Sequence, residues 1–99
     1  MASISTHVLD TGRGEPAENV AVELYRGHEL LAREETDAGG RITELGRASL
    51  GPGRYRLVFH PPSAFFARVE LELELEDAER HYHVPLLVSA YSCASYRGS

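Results

Sequence analysis

Five histidines occur in this 99-residue chain, and three of them stand where they could do chemistry. His81 and His83 are two apart in the run His81-Tyr-His-Val-Pro-Leu-Leu-Val-Ser89, whose β-branched and aromatic content reads as a strand. A strand sends side chains i and i+2 to the same side. The two imidazoles therefore form a patch on the face opposite Tyr82, Val84 and Leu86. His7 shares a face with Ser5, opposite Ile4 and Val8. His28 and His60 sit in turn-like surroundings and are given no role. Beyond the His-x-His strand the chain runs through Ser92-Cys-Ala-Ser-Tyr-Arg-Gly-Ser99, dense with hydrogen-bonding groups. Chain ends are ordinarily loose, so this one is expected to be tied down and used.

Three kinds of chemistry compete for the histidines. They could be solvated side chains on an outer strand face, with no function. They could hold zinc, since imidazoles at i and i+2 can share one ion and His7 could join His81 and His83. Against zinc stands the lack of an adjacent cysteine or a plausible carboxylate ligand. The third possibility is acid–base catalysis, in which one neutral imidazole takes a proton from water and another returns it. Spacing alone leaves all three open. No Ser nucleophile elbow, phosphate loop or convincing Cys-His pair is present.

The elements that must position these residues read as strands. Val69-Glu-Leu-Glu-Leu-Glu-Leu-Glu76 alternates strictly, with Val69, Leu71, Leu73 and Leu75 on one side and glutamates on the other. That is a half-buried strand with a charged, aggregation-resistant edge. The carboxylates from Glu70 to Glu79 read as solvation and not as an acid–base pair. Val20 to Tyr25 alternates likewise, and Arg54 to Phe59 points Tyr55, Leu57 and Phe59 inward. Ser3 to Leu9 is a plausible first strand, and Pro85 argues that the His81–Ser89 strand lies at an edge or carries a bulge. Turn signals separate these runs at 10–16, 37–41, 51–53 and 60–63. Only Gly27 to Glu35 and Pro62 to Ala67 could be helical, and neither signal suffices to assign a helix. Short strands between Gly and Pro turns predict an all-β antiparallel sandwich of about seven or eight strands, with at most one short helix.

Composition bounds the function. Ninety-nine residues suit one domain over 1–99, with a modest core that subunit association could supplement. Apolar content of 42% and charged content of 25% exclude wholesale disorder. A net charge of −5 disfavours nucleic-acid binding, which needs a basic face. All ten basic residues are arginine, which makes any single arginine weak evidence of function. The one cysteine, Cys93, cannot form an internal disulfide and reads as a small buried hydrophobe in a reducing compartment. The first twelve residues show no signal peptide and no stretch reaches the length of a membrane span, so a soluble cytoplasmic protein is expected.

Four segments together resemble the 5-hydroxyisourate hydrolases, the transthyretin-like enzymes of urate breakdown. Ser5-Thr-His-Val-Leu-Asp-Thr-Gly-Arg-Gly-Glu-Pro-Ala17 is similar to their opening strand and turn. Thr36-Asp-Ala-Gly-Gly-Arg41 resembles their Thr-Asx-x-Asp-Gly-Arg turn. His81-Tyr-His-Val-Pro-Leu-Leu87 and Tyr96-Arg-Gly-Ser99 are the most diagnostic, the latter because hormone-carrying transthyretins lack it.

The resemblance implies a transthyretin-like sandwich, no cofactor and no metal. It implies a homotetramer, a dimer of dimers with sites at subunit interfaces, and a small purine-derived substrate. Water would attack the C6 carbonyl of 5-hydroxyisourate and open the ring at the C6–N1 amide. The product would be 2-oxo-4-hydroxy-4-carboxy-5-ureidoimidazoline. The family site implies catalytic roles for His7, Arg41, His83 and Ser99, with His7, Arg41 and Tyr96 binding substrate. His7 and His83 would orient and deprotonate water, Arg41 would bind the anion or oxyanion, and Ser99 would add a hydroxyl and a terminal carboxylate. His81 is left a supporting role. Two departures stand out. Gly39 replaces the usual aspartate of the turn, and the segment between Phe59 and Val69 is short, which puts its helix in doubt. The alternative function is a transthyretin-like module that binds a small ligand without turning it over.

Overall fold

In the computed structural model, residues 2–46 and 50–98 are described. They form nine strands and no helix: β1 (Ser3–Asp10), β2 (Glu15–Pro16), β3 (Ala21–Arg26), β4 (Glu29–Glu35), β5 (Arg41–Ile42), β6 (Gly53–His60), β7 (Val69–Leu75), β8 (His81–Val88) and β9 (Cys93–Ser95). One sheet has the order β2-β1-β8-β9, with β5 also pairing β1; the other runs β4-β3-β6-β7. The two sheets make the expected all-β sandwich.

Alternation along each long strand creates the core. Ile4, Val8, Leu57, Phe59 and Leu86 are wholly buried between the sheets, and each such side chain contributes roughly 1.5–3 kcal/mol of transfer free energy. β7 forms an edge of its sheet, as its glutamates suggest. Glu70, Glu72 and Glu74 pair with Arg54, Arg56 and Arg68 on its exposed side. Exposed pairs of this kind add little stability but keep the edge solvated.

Neither helical candidate forms a helix. Glu29–Glu35 is the edge strand β4, where pairing with β3 overrides the helix propensity of its Glu, Leu, Ala and Arg residues. Residues 62–67 are irregular, turned by the Ser63 hydroxyl, which accepts from the amides of Phe65 and Phe66.

Pairing is antiparallel throughout except between β1 and β8, which run parallel from Ser3 opposite His81 to Asp10 opposite Val88. Pro85 therefore lies in an interior strand and not at an edge. It is accommodated because the β9 ladder covers only Leu86 to Val88, and the chain rejoins β8 in the same register where Gly98 bridges His83. The neighbouring ladder is interrupted opposite the residue that has no N–H to give.

Candidate active site

Register brings three of the expected residues onto one sheet face. In β1, Ile4, Thr6 and Val8 turn into the sandwich, so Ser3, Ser5 and His7 turn out. In β8, Tyr82, Val84 and Leu86 turn in, so His81 and His83 turn out beside them. On the other side of β1, Arg41 of β5 lies opposite His7. His83, His7 and Arg41 thus span three adjacent strands, β8-β1-β5, on the outer face.

Each is held from a different direction. The His7 ring meets the Gly39 carbonyl through Nε2 at 2.9 Å. A carbonyl only accepts, so Nε2 carries a proton and the neutral ring presents its lone pair on Nδ1. The His83 Nδ1 lies 2.8 Å from the Ser5 hydroxyl, which leaves Nε2 as the nitrogen for substrate or water. Burial first, then the neighbouring His7, Arg41 and His81, holds the His83 imidazole below the usual histidine value. It is therefore neutral near pH 7, as a general base must be.

Arg41 is placed by a pinned turn. Asp37 Oδ1 accepts from the amides of Gly39 (2.9 Å) and Arg41 (3.0 Å). Gly40 has a φ of 76°, and a Cβ there would lie 2.5 Å from the Val8 carbonyl oxygen, so only glycine fits. Asp37, at the Asx position of the motif, thus pins the turn without an acceptor at Gly39. Among the described residues no carboxylate pairs with the Arg41 guanidinium, whose donors remain unspent. A hollow of about 140 Å³ lies between these elements, lined by Ser5, Thr6, Arg41, Ile42, Thr43 and His83.

The zinc geometry does not assemble. Among the described residues no three His, Cys, Asp or Glu side chains come together as a metal site. Both nitrogens of His81 are taken by hydroxyls, Nδ1 by Ser3 at 2.6 Å and Nε2 by Ser5 at 2.8 Å.

The remaining expected residues fall elsewhere. Ser99 lies outside the described residues. Tyr96 and Arg97 line a larger cleft of about 340 Å³ with Leu71, Leu73, Tyr82 and Val84, a space that contains no histidine. Size does not identify the site here, because that cleft carries no imidazole, and its two carboxylates, Glu72 and Glu74, are paired with Arg54. No hydrogen bond joins Tyr96 to the histidine face among the described residues.

The sequence motif includes Gly98 but does not show its contact with His83. Its amide donates to the His83 carbonyl at 2.7 Å, and a Cβ there would lie 2.7 Å from His83 Cδ2. Ser3 and Ser5 were also unassigned, since their partnership with the imidazoles depends on the β1–β8 register.

Comparison with known proteins gives a consistent result. Residues 4–98 match the HIUase/Transthyretin family. The chain is 38% identical to 5-hydroxyisourate hydrolase 2 of Rhizobium meliloti, over 97% of its own length and 95% of that protein. It is likewise 38% identical to the 5-hydroxyisourate hydrolase of Pseudomonas aeruginosa, over 100% and 93%. The solved structure of Klebsiella pneumoniae 5-hydroxyisourate hydrolase superposes with a TM-score of 0.90 at 36% identity, covering 98% of this chain and 99% of that one.

Proposed function

The chain belongs to the HIUase/transthyretin family and hydrolyses 5-hydroxyisourate in urate breakdown; we propose that the reaction runs on the face shared by His7, Arg41 and His83. The observation that carries this reading is the register of β8, β1 and β5, which aligns two imidazoles with an arginine that no described carboxylate neutralises. A water between His7 Nδ1 and His83 Nε2 meets two possible proton acceptors. As it attacks C6, one imidazole takes its proton, and charge develops on the former carbonyl oxygen. The Arg41 guanidinium, a planar and permanently charged fork, stabilises that oxygen and holds the anionic substrate. That imidazole N–H then returns the proton to N1 as the amide bond breaks, giving 2-oxo-4-hydroxy-4-carboxy-5-ureidoimidazoline.

Ser99 and Tyr96 enter this proposal on the family motif alone; within one chain Tyr96 lines the separate cleft. The hollow of about 140 Å³ is open in one chain. A homotetramer, a dimer of dimers, would supply the missing wall. Residues 1–99 act as one hydrolase domain in the cytoplasm, without cofactor or metal.

The test generates 5-hydroxyisourate from urate with urate oxidase and follows its ultraviolet decay. Purified protein should accelerate that decay above the spontaneous rate. His83→Ala should lower kcat by about 10²–10⁴ and Arg41→Ala by about 10²–10³, with the assembly intact by light scattering. Full activity in either variant removes that residue from the mechanism.

A further inference from the structure

The face that carries His83 also carries a chain of hydrogen bonds that the hydrolytic step above does not use. Ser3 Oγ lies 2.6 Å from His81 Nδ1, and Ser5 Oγ lies 2.8 Å from both His81 Nε2 and His83 Nδ1. The parallel register produces it. Ser3 stands opposite His81 and Ser5 opposite His83, so hydroxyls and imidazoles interleave along two neighbouring strands. An antiparallel pairing of the same residues would not align Ser-x-Ser with His-x-His in this order.

The proton count of the chain is restrictive. A serine hydroxyl has one proton to give, and a neutral imidazole has one donor and one acceptor nitrogen. Ser5 is buried, so its proton belongs in a bond. With that proton placed, two arrangements satisfy all three contacts. In the first, Ser3 donates to His81 Nδ1, His81 Nε2–H to Ser5, and Ser5 to His83 Nδ1, which puts the proton of His83 on Nε2. In the second every bond is reversed, and His83 Nε2 carries a lone pair. The polarity of the chain therefore decides whether His83 faces the hollow as acid or as base.

We infer that Ser3, His81 and Ser5 are positioning residues forming a proton relay between His83 and solvent. The inference rests on the reading of His83 as proton acceptor. Starting from the second arrangement, His83 Nε2 takes the proton of the attacking water. The Nδ1 proton passes to Ser5 Oγ, the proton of Ser5 to His81 Nε2, and the Nδ1 proton of His81 to Ser3 Oγ. The hydroxyl proton of Ser3 leaves to solvent. One proton enters, one leaves, and no charge stays on the chain. His83 now holds Nε2–H and can protonate the departing N1, after which the same sequence runs backward and Ser3 recovers a proton from solvent.

The surroundings of His83 give this a purpose. It faces His7 from β1, Arg41 from β5 and His81 on its own strand. An imidazolium beside Arg41 is unfavourable. A relay lets His83 accept the proton without retaining the charge.

The experiment compares Ser5→Ala, Ser5→Thr and His81→Phe with wild type, reading kcat, KM, rates in mixtures of light and heavy water, and ¹⁵N shifts of the His83 ring. In Ser5→Ala and His81→Phe, kcat should fall about 10-fold or more with KM little changed. The wild-type rate should bow with deuterium fraction, as several protons moving together require, and become linear in both variants. His83 should lose its mixture of tautomers in Ser5→Ala, and Ser5→Thr should restore most of the rate. Wild-type kcat in Ser5→Ala and His81→Phe, an unchanged His83 tautomer ratio, or a Ser5→Thr variant no better than Ser5→Ala would each overturn the relay. The ring shifts are read without substrate, so they judge the relay even if the protein were inactive on 5-hydroxyisourate.

Discussion

Replacing Gly98 by alanine tests whether the C-terminal segment positions His83 or merely trails past it. A Cβ at Gly98 would sit 2.7 Å from His83 Cδ2, 3.1 Å from its Cβ and 3.2 Å from its Cγ. Relaxed carbon contacts lie near 3.5–4.0 Å, so the closest pair must separate by about 1 Å. Two responses are open. The ring can move, but its Nδ1 is tied to Ser5 at 2.8 Å and a shift of that size breaks the bond. Alternatively residues 96–98 lift away, losing the 2.7 Å bond from the Gly98 amide to the His83 carbonyl. A misplacement of about 1 Å at a reacting group costs on the order of 100-fold in rate. The lost hydrogen bond at an exposed chain end costs only about 1 kcal/mol of stability. Gly98→Ala should therefore lower kcat by roughly two orders of magnitude while thermal unfolding moves by a few degrees. Decay of enzymatically generated 5-hydroxyisourate gives the first quantity and calorimetry the second. Wild-type kcat in a folded Gly98→Ala protein would refute the reasoning, and so would a large stability loss that accounted for the whole fall in activity.

Two further expectations concern the groups around this site. In the proposed mechanism His83 acts as a neutral imidazole; burial first, then His7, Arg41 and His81, holds it below the ordinary value of 6.5, and a lowered value keeps the base form present in more acidic solution. The acidic limb of kcat/KM against pH should have its midpoint below 6.5, and a midpoint at or above 6.5 would contradict that assignment. Thr36 is buried, accepting from the Val20 amide at 2.9 Å and donating to the Ala17 carbonyl at 2.7 Å, one residue before the turn that aims Arg41. Thr36→Val strands both backbone groups at about 1–3 kcal/mol each, so Tm should drop by at least about 5 °C; a smaller drop would mean that water replaces the hydroxyl.

The long strands were legible because their alternation is a local property. Tyr55, Leu57 and Phe59 are buried as their spacing implies, and the glutamates of β7 line an edge. β4 was not legible, since Glu29 to Glu35 has no clean two-residue period and its residues favour a helix. Its strand character comes from β3, with which it pairs through a register shift at Leu24 and Tyr25. β9, at three residues, is too short to show a period at all, and Cys93 within it is exposed and not buried as its type suggested, because β9 is the outer strand of its sheet.

The site divides along the same line. That His81 and His83 share a face follows from their spacing, and the motifs imply His7, Arg41, His83, Tyr96 and Ser99, of which the strand register gathers the first three. What neither periodicity nor motif contained was the order of strands. Arg41 reaches His7 because β5 pairs antiparallel with β1, and Ser5 reaches both histidines because β8 pairs parallel with it. β1 is thus the common scaffold: its inward residues hold the sandwich together while its outward residues, one position apart, gather groups from two other strands. A one-residue slip in either pairing would turn those outward groups into the core. The apolar half of β1 is therefore what fixes the direction of its polar half, since Ile4 and Val8 cannot stay buried unless Ser5 and His7 turn outward.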